Sequence, residues 1–304
     1  MRVAEVFCPG HITGFFEIRD FHEELVKKGS RGAGVSIDKG ITTRVKFDEE
    51  LRGVHVYING ERSDAPVTKK VVDYFTKEFG LDGGIEIYHN SQIPIGCGFG
   101  ASGAGALSTS FALNLVLKSG LTALEAAKYA HMAEVECRTG LGDVITEYYG
   151  GFEVRRKEGA PGIGLVDRII VPKNVSVLCI SIGPLETKSV LSDEGMRERI
   201  NSLGRNMVDI LLEDPTIENM MKLSRKFSEE IGLMDDVMRG IMEEVEKEGL
   251  MSSMVMLGRS IFAVGREEKV VAVYRIIKRE YPDLCVFVSK ENLTGPVVLM
   301  YEEV

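Results

Sequence analysis

From Pro94 to Ala106 the chain reads Pro-Ile-Gly-Cys-Gly-Phe-Gly-Ala-Ser-Gly-Ala-Gly-Ala, with five glycines in thirteen residues. Such a run cannot fill a core by itself. It lets the backbone reach positive φ and approach another group closely. Residues 102–118 beyond it have helical periodicity, so the run enters a helix. Free N–H groups at a helix start, backed by the helix dipole, form an anion site that suits phosphate. Three phosphate loops compete for this pattern. The G-x-x-x-x-G-K-[ST] loop is absent, because no lysine occurs between 78 and 117. A G-x-G-x-x-G string is present at Gly98–Gly103, but its setting is wrong for a dinucleotide fold. The preceding strand ends near Tyr88, and the next element is a second helix where a strand should stand. The H-R-D and D-F-G strings of protein kinases are missing.

Other landmarks follow in order. Cys8-Pro-Gly-His-Ile-Thr-Gly-Phe-Phe-Glu17 lies near the start, and His131-x-x-Glu134 lies in a helix beginning at Thr122. Thr122 and Glu125 have capping-box spacing. Gly140-Leu-Gly-Asp143 and then Tyr149-Gly-Gly151 come next, and Met256-Leu-Gly258 lies near the end. With the glycine run, these strings resemble the motifs of the GHMP kinases. The first matches that family's P-G-K-x-x-L-x-G-E segment, with His11 where many members have lysine. The glycine run matches P-x-x-x-G-L-G-S-S-A-A. The third family motif is weak here. Four strings, 9–16, 29–34, 98–104 and 256–258, are similar to the archaeal branch whose substrate is pantoate.

The resemblance implies a two-part α+β fold. Its N-terminal part is ribosomal-protein-S5-domain-2-like over 1–175, and its C-terminal part is ferredoxin-like over 176–304. It implies transfer of phosphate from ATP to the 4-hydroxyl of pantoate, a small hydroxy acid on the route to coenzyme A, with Mg²⁺ as cofactor. Pro94, Gly96, Gly98, Gly100, Ala101, Ser102, Gly103 and Ala104 are then expected to hold the nucleotide phosphates. Ser102 and Glu134 are expected to hold Mg²⁺, a hard cation that prefers oxygen ligands. Asp143 is expected to accept or orient the hydroxyl proton, and His11 to act beside it or donate to substrate. Arg31 and Ser30 are expected to hold the acid's carboxylate, since arginine binds carboxylates in a bidentate fork. The residues by themselves leave plainer roles open: Glu134 exposed on an alanine-rich helix, Asp143 as a turn cap, His11 as a satisfied loop histidine and Arg31 as a surface turn residue. The alternatives are a shikimate, homoserine or mevalonate type of kinase, a silent ATP-binding regulator, and a nicotinamide oxidoreductase.

Composition narrows the partners. Lys plus Arg is 37 and Asp plus Glu is 46, a formal charge of −9. This argues against nonspecific nucleic-acid binding. Residues 192–250 hold 15 acids and 8 bases, so the rest of the chain nets only −2. Ten of the 13 methionines lie between Met196 and Met256. That reads as a solvated acidic face over a soft core, with an adaptable substrate wall or a subunit contact as the sharper option. No run is apolar enough for a membrane span. Five scattered cysteines without a C-x-x-C indicate neither disulfides nor structural zinc, so a cytoplasmic setting is expected. Homodimers are common in the resembled family, but no residue here demonstrates one.

Local patterns predict strands at 2–8, 35–47, 54–58, 85–88, 175–182, 260–264, 284–288 and 297–300. They predict helices at 66–79, 102–118, 122–138 and 268–280, and two or three more over 192–248, broken near Pro215 and Gly232.

Overall fold

The computed structural model describes residues 1–185 and 193–303. Two sheets organise the chain. The first is built on β1 (Arg2–Arg19) and β2 (Gly29–Asp48), long antiparallel partners from Arg2↔Phe47 to Arg19↔Gly29. The first strand therefore runs eleven residues beyond the expected end at Cys8. It does so by register shifts at Pro9/Gly10 and Thr13/Phe15, which absorb residues that break strand alternation. Then come β3 (Val54–Ile58), β4 (Glu61–Arg62) and β5 (Gly84–Ser91). β6 (Phe152–Lys157) pairs with β2, and β7 (Leu165–Ile169) pairs with β6.

Helices cover one face of this sheet: α1 (Pro66–Phe79), α2 (Ala101–Val116), α3 (Ala123–Cys137) and the short α4 (Asp143–Tyr149). α2 is buried on nearly every side, with Ala104, Ala106, Leu107, Ala112 and Leu113 at zero exposure. Its small residues let it lie flat between the sheet and α3. α3 starts with the expected box: Glu125 N–H donates to Thr122 Oγ1 at 3.4 Å, and Thr122 N–H donates to Glu125 Oε2 at 2.8 Å.

The second sheet has the order β11-β8-β10-β9, from β8 (Val175–Gly183), β9 (Ser252–Met254), β10 (Arg259–Arg266) and β11 (Cys285–Ser289). Helices α5 (Glu194–Gly204), α6 (Met207–Glu213), α7 (Ile217–Ile231), α8 (Asp236–Lys247) and α9 (Glu267–Glu280) pack around it. Met220, Met221, Met238 and Met242 are buried in one core with Phe227, Phe262 and Ile180. The acidic residues of 194–247 stay toward solvent, so charge and methionines belong to opposite faces of the same helices. Sheet membership changes between β7 and β8, near the expected boundary at 175. The last strand, β12 (Val297–Glu303), does not stay with the second sheet; it returns to pair with β1. Among the described residues no helix is long and apolar enough to cross a membrane.

Candidate active site

The glycine run leaves β5 and forms a turn anchored in the core by some of its apolar residues, while Ile95 stays exposed. Ile93, Cys97 and Phe99 are all buried, and Phe99 lies 5.4 Å from Phe287 between ring centroids. Gly98 has φ +88°, and a Cβ there would lie 2.8 Å from Val255 Cγ1 and 2.9 Å from Gly258 Cα. The loop thus packs back-to-back with the 256–258 turn, where Met256 N–H donates to Thr13 O at 3.0 Å. Gly100 caps α2 in the left-handed region, at φ +72°, with no side chain closing the helix end. The first N–H groups of α2 remain donors without a helical carbonyl. On the other side, His11 N–H donates to Phe99 O at 3.0 Å, so the β1 bulge carries His11 directly beneath the loop.

A cavity of about 460 Å³ opens over this loop. Gly96, Gly98, Gly100, Ala101 and Ser102 line it, as do Thr139–Asp143, Ser30, Thr13 and Arg155. Pro94, Gly103 and Ala104, expected at the phosphates, do not. Ala104 is buried and its N–H is already given to Gly100 O at 2.9 Å. A Cβ on Gly103 would meet Glu147 Oε2 at 2.8 Å. A further part of the lining comes from Ile58, Ser63, Pro66, Thr68 and His89. His89 is held by Thr43 Oγ1 at 2.7 Å and Thr68 Oγ1 at 3.0 Å, and burial pushes it down to about 4, so it is neutral.

Ser102 and Glu134 meet as expected. Ser102 Oγ donates to Glu134 Oε1 at 2.5 Å, and Thr139 Oγ1 donates to the same oxygen at 2.8 Å. Glu134 Oε2 is buried without a partner. Burial is the main cause that raises this carboxyl to about 7, with Asp143 adding to it. Close by, Glu147 is fully buried and both its oxygens lack hydrogen bonds. Burial, then Asp143 and Glu134, raise it well above the usual carboxylate range. Three acids therefore face one region, and among the described residues no basic side chain bonds Glu134 or Glu147.

His11 is not in contact with the cavity. It is wholly buried behind Asp143, with Nδ1 2.9 Å from Asp143 Oδ1 and Nε2 2.7 Å from Glu153 Oε1. The ring, expected at the substrate, thus lies against Asp143 instead of lining the cavity. Burial lowers its pKa, but the hydrogen bonds from Asp143 and Glu153 outweigh this and leave it raised.

Arg31 is also elsewhere. Adjacent strand residues point to opposite faces, so Ser30 reaches the cavity and Arg31 does not. Its guanidinium lies 3.5 Å from Glu17 and 2.8 Å from Asp209, and its Nε donates to Arg156 O. The guanidinium in the cavity belongs to Arg155, which sequence reasoning missed. Arg155 is 1% exposed, bonds Glu153 Oε1 at 3.0 Å, and its Nε has no partner. The signal available was the alternation of Glu153 and Arg155 with the apolar Phe152 and Val154 along one strand.

This arrangement combines a loop of backbone donors, a carboxylate without a counter-ion among the described residues, a second carboxylate backed by a histidine, and a buried guanidinium. Residues 66–151 match the model of the GHMP kinases N terminal domain. The chain is 40% identical over 273 residues to a pantoate kinase of Thermococcus kodakarensis, covering 88% of this chain and 89% of the relative. The chain belongs to the GHMP kinases, a family of small-molecule kinases. A pantoate kinase of Methanocaldococcus jannaschii is 35% identical over 280 residues, covering 92% and 98% of the two chains. A solved structure described as a phosphotransferase related to the CoA biosynthesis pathway superposes with a TM-score of 0.86, 36% identity and 98% coverage of both chains.

Proposed function

We propose that this chain transfers the γ-phosphoryl group of ATP to the 4-hydroxyl of pantoate. The observation that carries this reading is the 33–40% identity to three pantoate kinases across 87–92% of the chain. The cavity agrees with it. A hydroxy acid needs a cationic fork for its carboxylate and a base near its hydroxyl, and Arg155 and Asp143 line the same space.

The nucleotide phosphates would rest on the N–H groups of the glycine loop and the α2 start. Ser102 and Glu134 would hold Mg²⁺. The unpartnered, desolvated Glu134 Oε2 fits a cation ligand, because burying a carboxylate is costly unless a cation or donor meets it. When bound, the ion neutralises charge that builds on the transferred group. Arg155, with Ser30, would bind the acid's carboxylate and bring its hydroxyl to Asp143. Asp143 accepts the hydroxyl proton as the oxygen bonds to phosphorus and the bond to the leaving ADP oxygen breaks. His11 fixes Asp143 Oδ1, leaving Oδ2 for the substrate.

The test is ADP release by purified protein with MgATP and pantoate, shikimate, homoserine or mevalonate in parallel. Pantoate should give the largest kcat/KM by at least an order of magnitude. A greater kcat/KM with another acceptor, or acceptor-independent hydrolysis alone, would overturn the reading.

A further inference from the structure

Glu153 was not among the expected site residues, yet it touches two parts of the site through one atom. Its Oε1 receives His11 Nε2 at 2.7 Å and Arg155 Nη1 at 3.0 Å. The carboxylate is wholly buried, as are His11 and, to 1%, Arg155. The backbone is shaped for this contact. A Cβ on Gly34, the β2 partner of Glu153, would lie 2.9 Å from His11 Nε2 and 3.0 Å from Glu153 Oε1.

The donor count decides the state of His11. Ionised carboxylates only accept hydrogen bonds, and a neutral imidazole has one N–H. Both ring nitrogens of His11 face carboxylate oxygens, so both contacts are satisfied together only by the imidazolium. The groups facing the ring are Asp143 from α4, Glu153 and Arg155 from β6, and the Thr13 hydroxyl at 3.5 Å on its own strand. Gly34 and Gly100 present only backbone to it, with the Glu147 carboxyl behind Gly100. Two carboxylates against one ring outweigh desolvation.

We propose that Glu153 is a positioning residue: through one buried oxygen it keeps His11 a permanent cation against Asp143 and sets the Arg155 guanidinium in the acceptor cavity. This rests on the reading above that Asp143 and Arg155 meet the acceptor. It gives His11 a definite place in the reaction. The ring already carries both protons, so it cannot take the hydroxyl proton; it holds Asp143 Oδ1 and so aims the other oxygen at the cavity. It also couples the two halves of acceptor recognition. Moving Glu153 disturbs the carboxylate clamp and the base together, while the nucleotide loop, which Glu153 does not touch, keeps its shape.

The test begins on the wild-type protein, with ¹⁵N-labelled histidine followed by NMR from pH 5.5 to 9. His11 should show two protonated ring nitrogens throughout, well past the ordinary histidine midpoint of about 6.5. A neutral tautomer appearing near that midpoint would overturn the proposal, whatever the acceptor is. The second arm is Glu153→Gln. Its amide cannot supply the charge, so the alkaline limb of kcat should move down by about one pH unit or more. The KM for the acid should rise roughly tenfold, with the KM for ATP within twofold. An unmoved pH profile, or equal effects on both KM values, counts against positioning. Failure of the wild type to phosphorylate pantoate would sink the functional reading while leaving the NMR result to decide this one.

Discussion

Replacing Glu134 by Gln should stabilise the protein free of ligand while weakening its use of Mg²⁺. The substitution keeps volume and an acceptor oxygen for Ser102 and Thr139, and it removes a carboxylate whose second oxygen is buried without a partner. In the folded chain Glu134 titrates near 7, against 4.5 ordinarily. Between those values the native state holds a proton that the unfolded state has released. Native stability therefore falls as pH rises through this window, because the native form binds more protons. A shift of this size corresponds to about 3 kcal/mol. Urea unfolding at pH 5 and pH 8 should show the variant gaining on wild type by roughly that amount. Glu147 also contributes a decline with pH, and because Glu134 is one of the causes that raise it, the neutral variant relieves part of that decline and widens the gap in the same direction. A gap between variant and wild type that does not change from pH 5 to pH 8 would falsify the picture of a desolvated, counter-ion-free carboxylate. In turnover assays the Mg²⁺ requirement should rise; an unchanged Mg²⁺ titration would refute metal ligation separately.

Three further outcomes are expected. Asp143→Asn should lower kcat by roughly 10²–10⁴-fold, the usual worth of a general base, with nucleotide affinity by calorimetry within twofold; near-normal turnover would remove the base role. Arg155→Lys keeps a charge but loses the fork, so the KM for the acid should rise about tenfold or more, whereas Arg31→Ala should leave it within twofold; the reverse ranking would return the carboxylate to Arg31. Gly100→Ala places a Cβ 2.4 Å from Glu147 Oε1 and 2.9 Å from His11 N at φ +72°. It should cost at least about 1–2 kcal/mol from the left-handed backbone alone and weaken nucleotide binding; an unchanged unfolding midpoint with unchanged nucleotide affinity would show that the loop tolerates a side chain.

The parts of the site that sequence reasoning reached are those whose logic is local. The glycine run, the Thr122 box, Glu134 on its helix and Asp143 in its turn each depend on neighbours within a few positions. Ser102 and Glu134, 32 residues apart, came together because a family pattern spans them. What was not legible depends on register. Arg155 and Arg156 are identical in sequence terms, and only the pairing of Gly32 with Arg155 decides which one faces the core. Ser30 and Arg31 differ for the same reason. Glu153 meets His11 across 142 positions, and no local pattern connects them. The length of β1 was missed because bulges at Pro9/Gly10 and Thr13/Phe15 disrupt the alternation that marks a strand. Glu147 was missed because a buried acid at i+4 from Asp143 looks like an ordinary exposed helix residue.

The return of β12 to β1 has a consequence for synthesis. Residues 2–7 of the first strand pair on one side with β2 early, but their other edge is covered only by Val297–Glu303. Until Val297–Glu303 leave the ribosome, β1 is an open edge beside the buried Val3, Ala4 and Val6. An uncovered edge of that kind recruits other strands, and pairs so distant in sequence form slowly. The nascent chain must therefore wait for residues 297–303 with its first sheet unfinished. A chain stopped at Pro296 would keep every loop and acid described above and still leave that edge open to other strands.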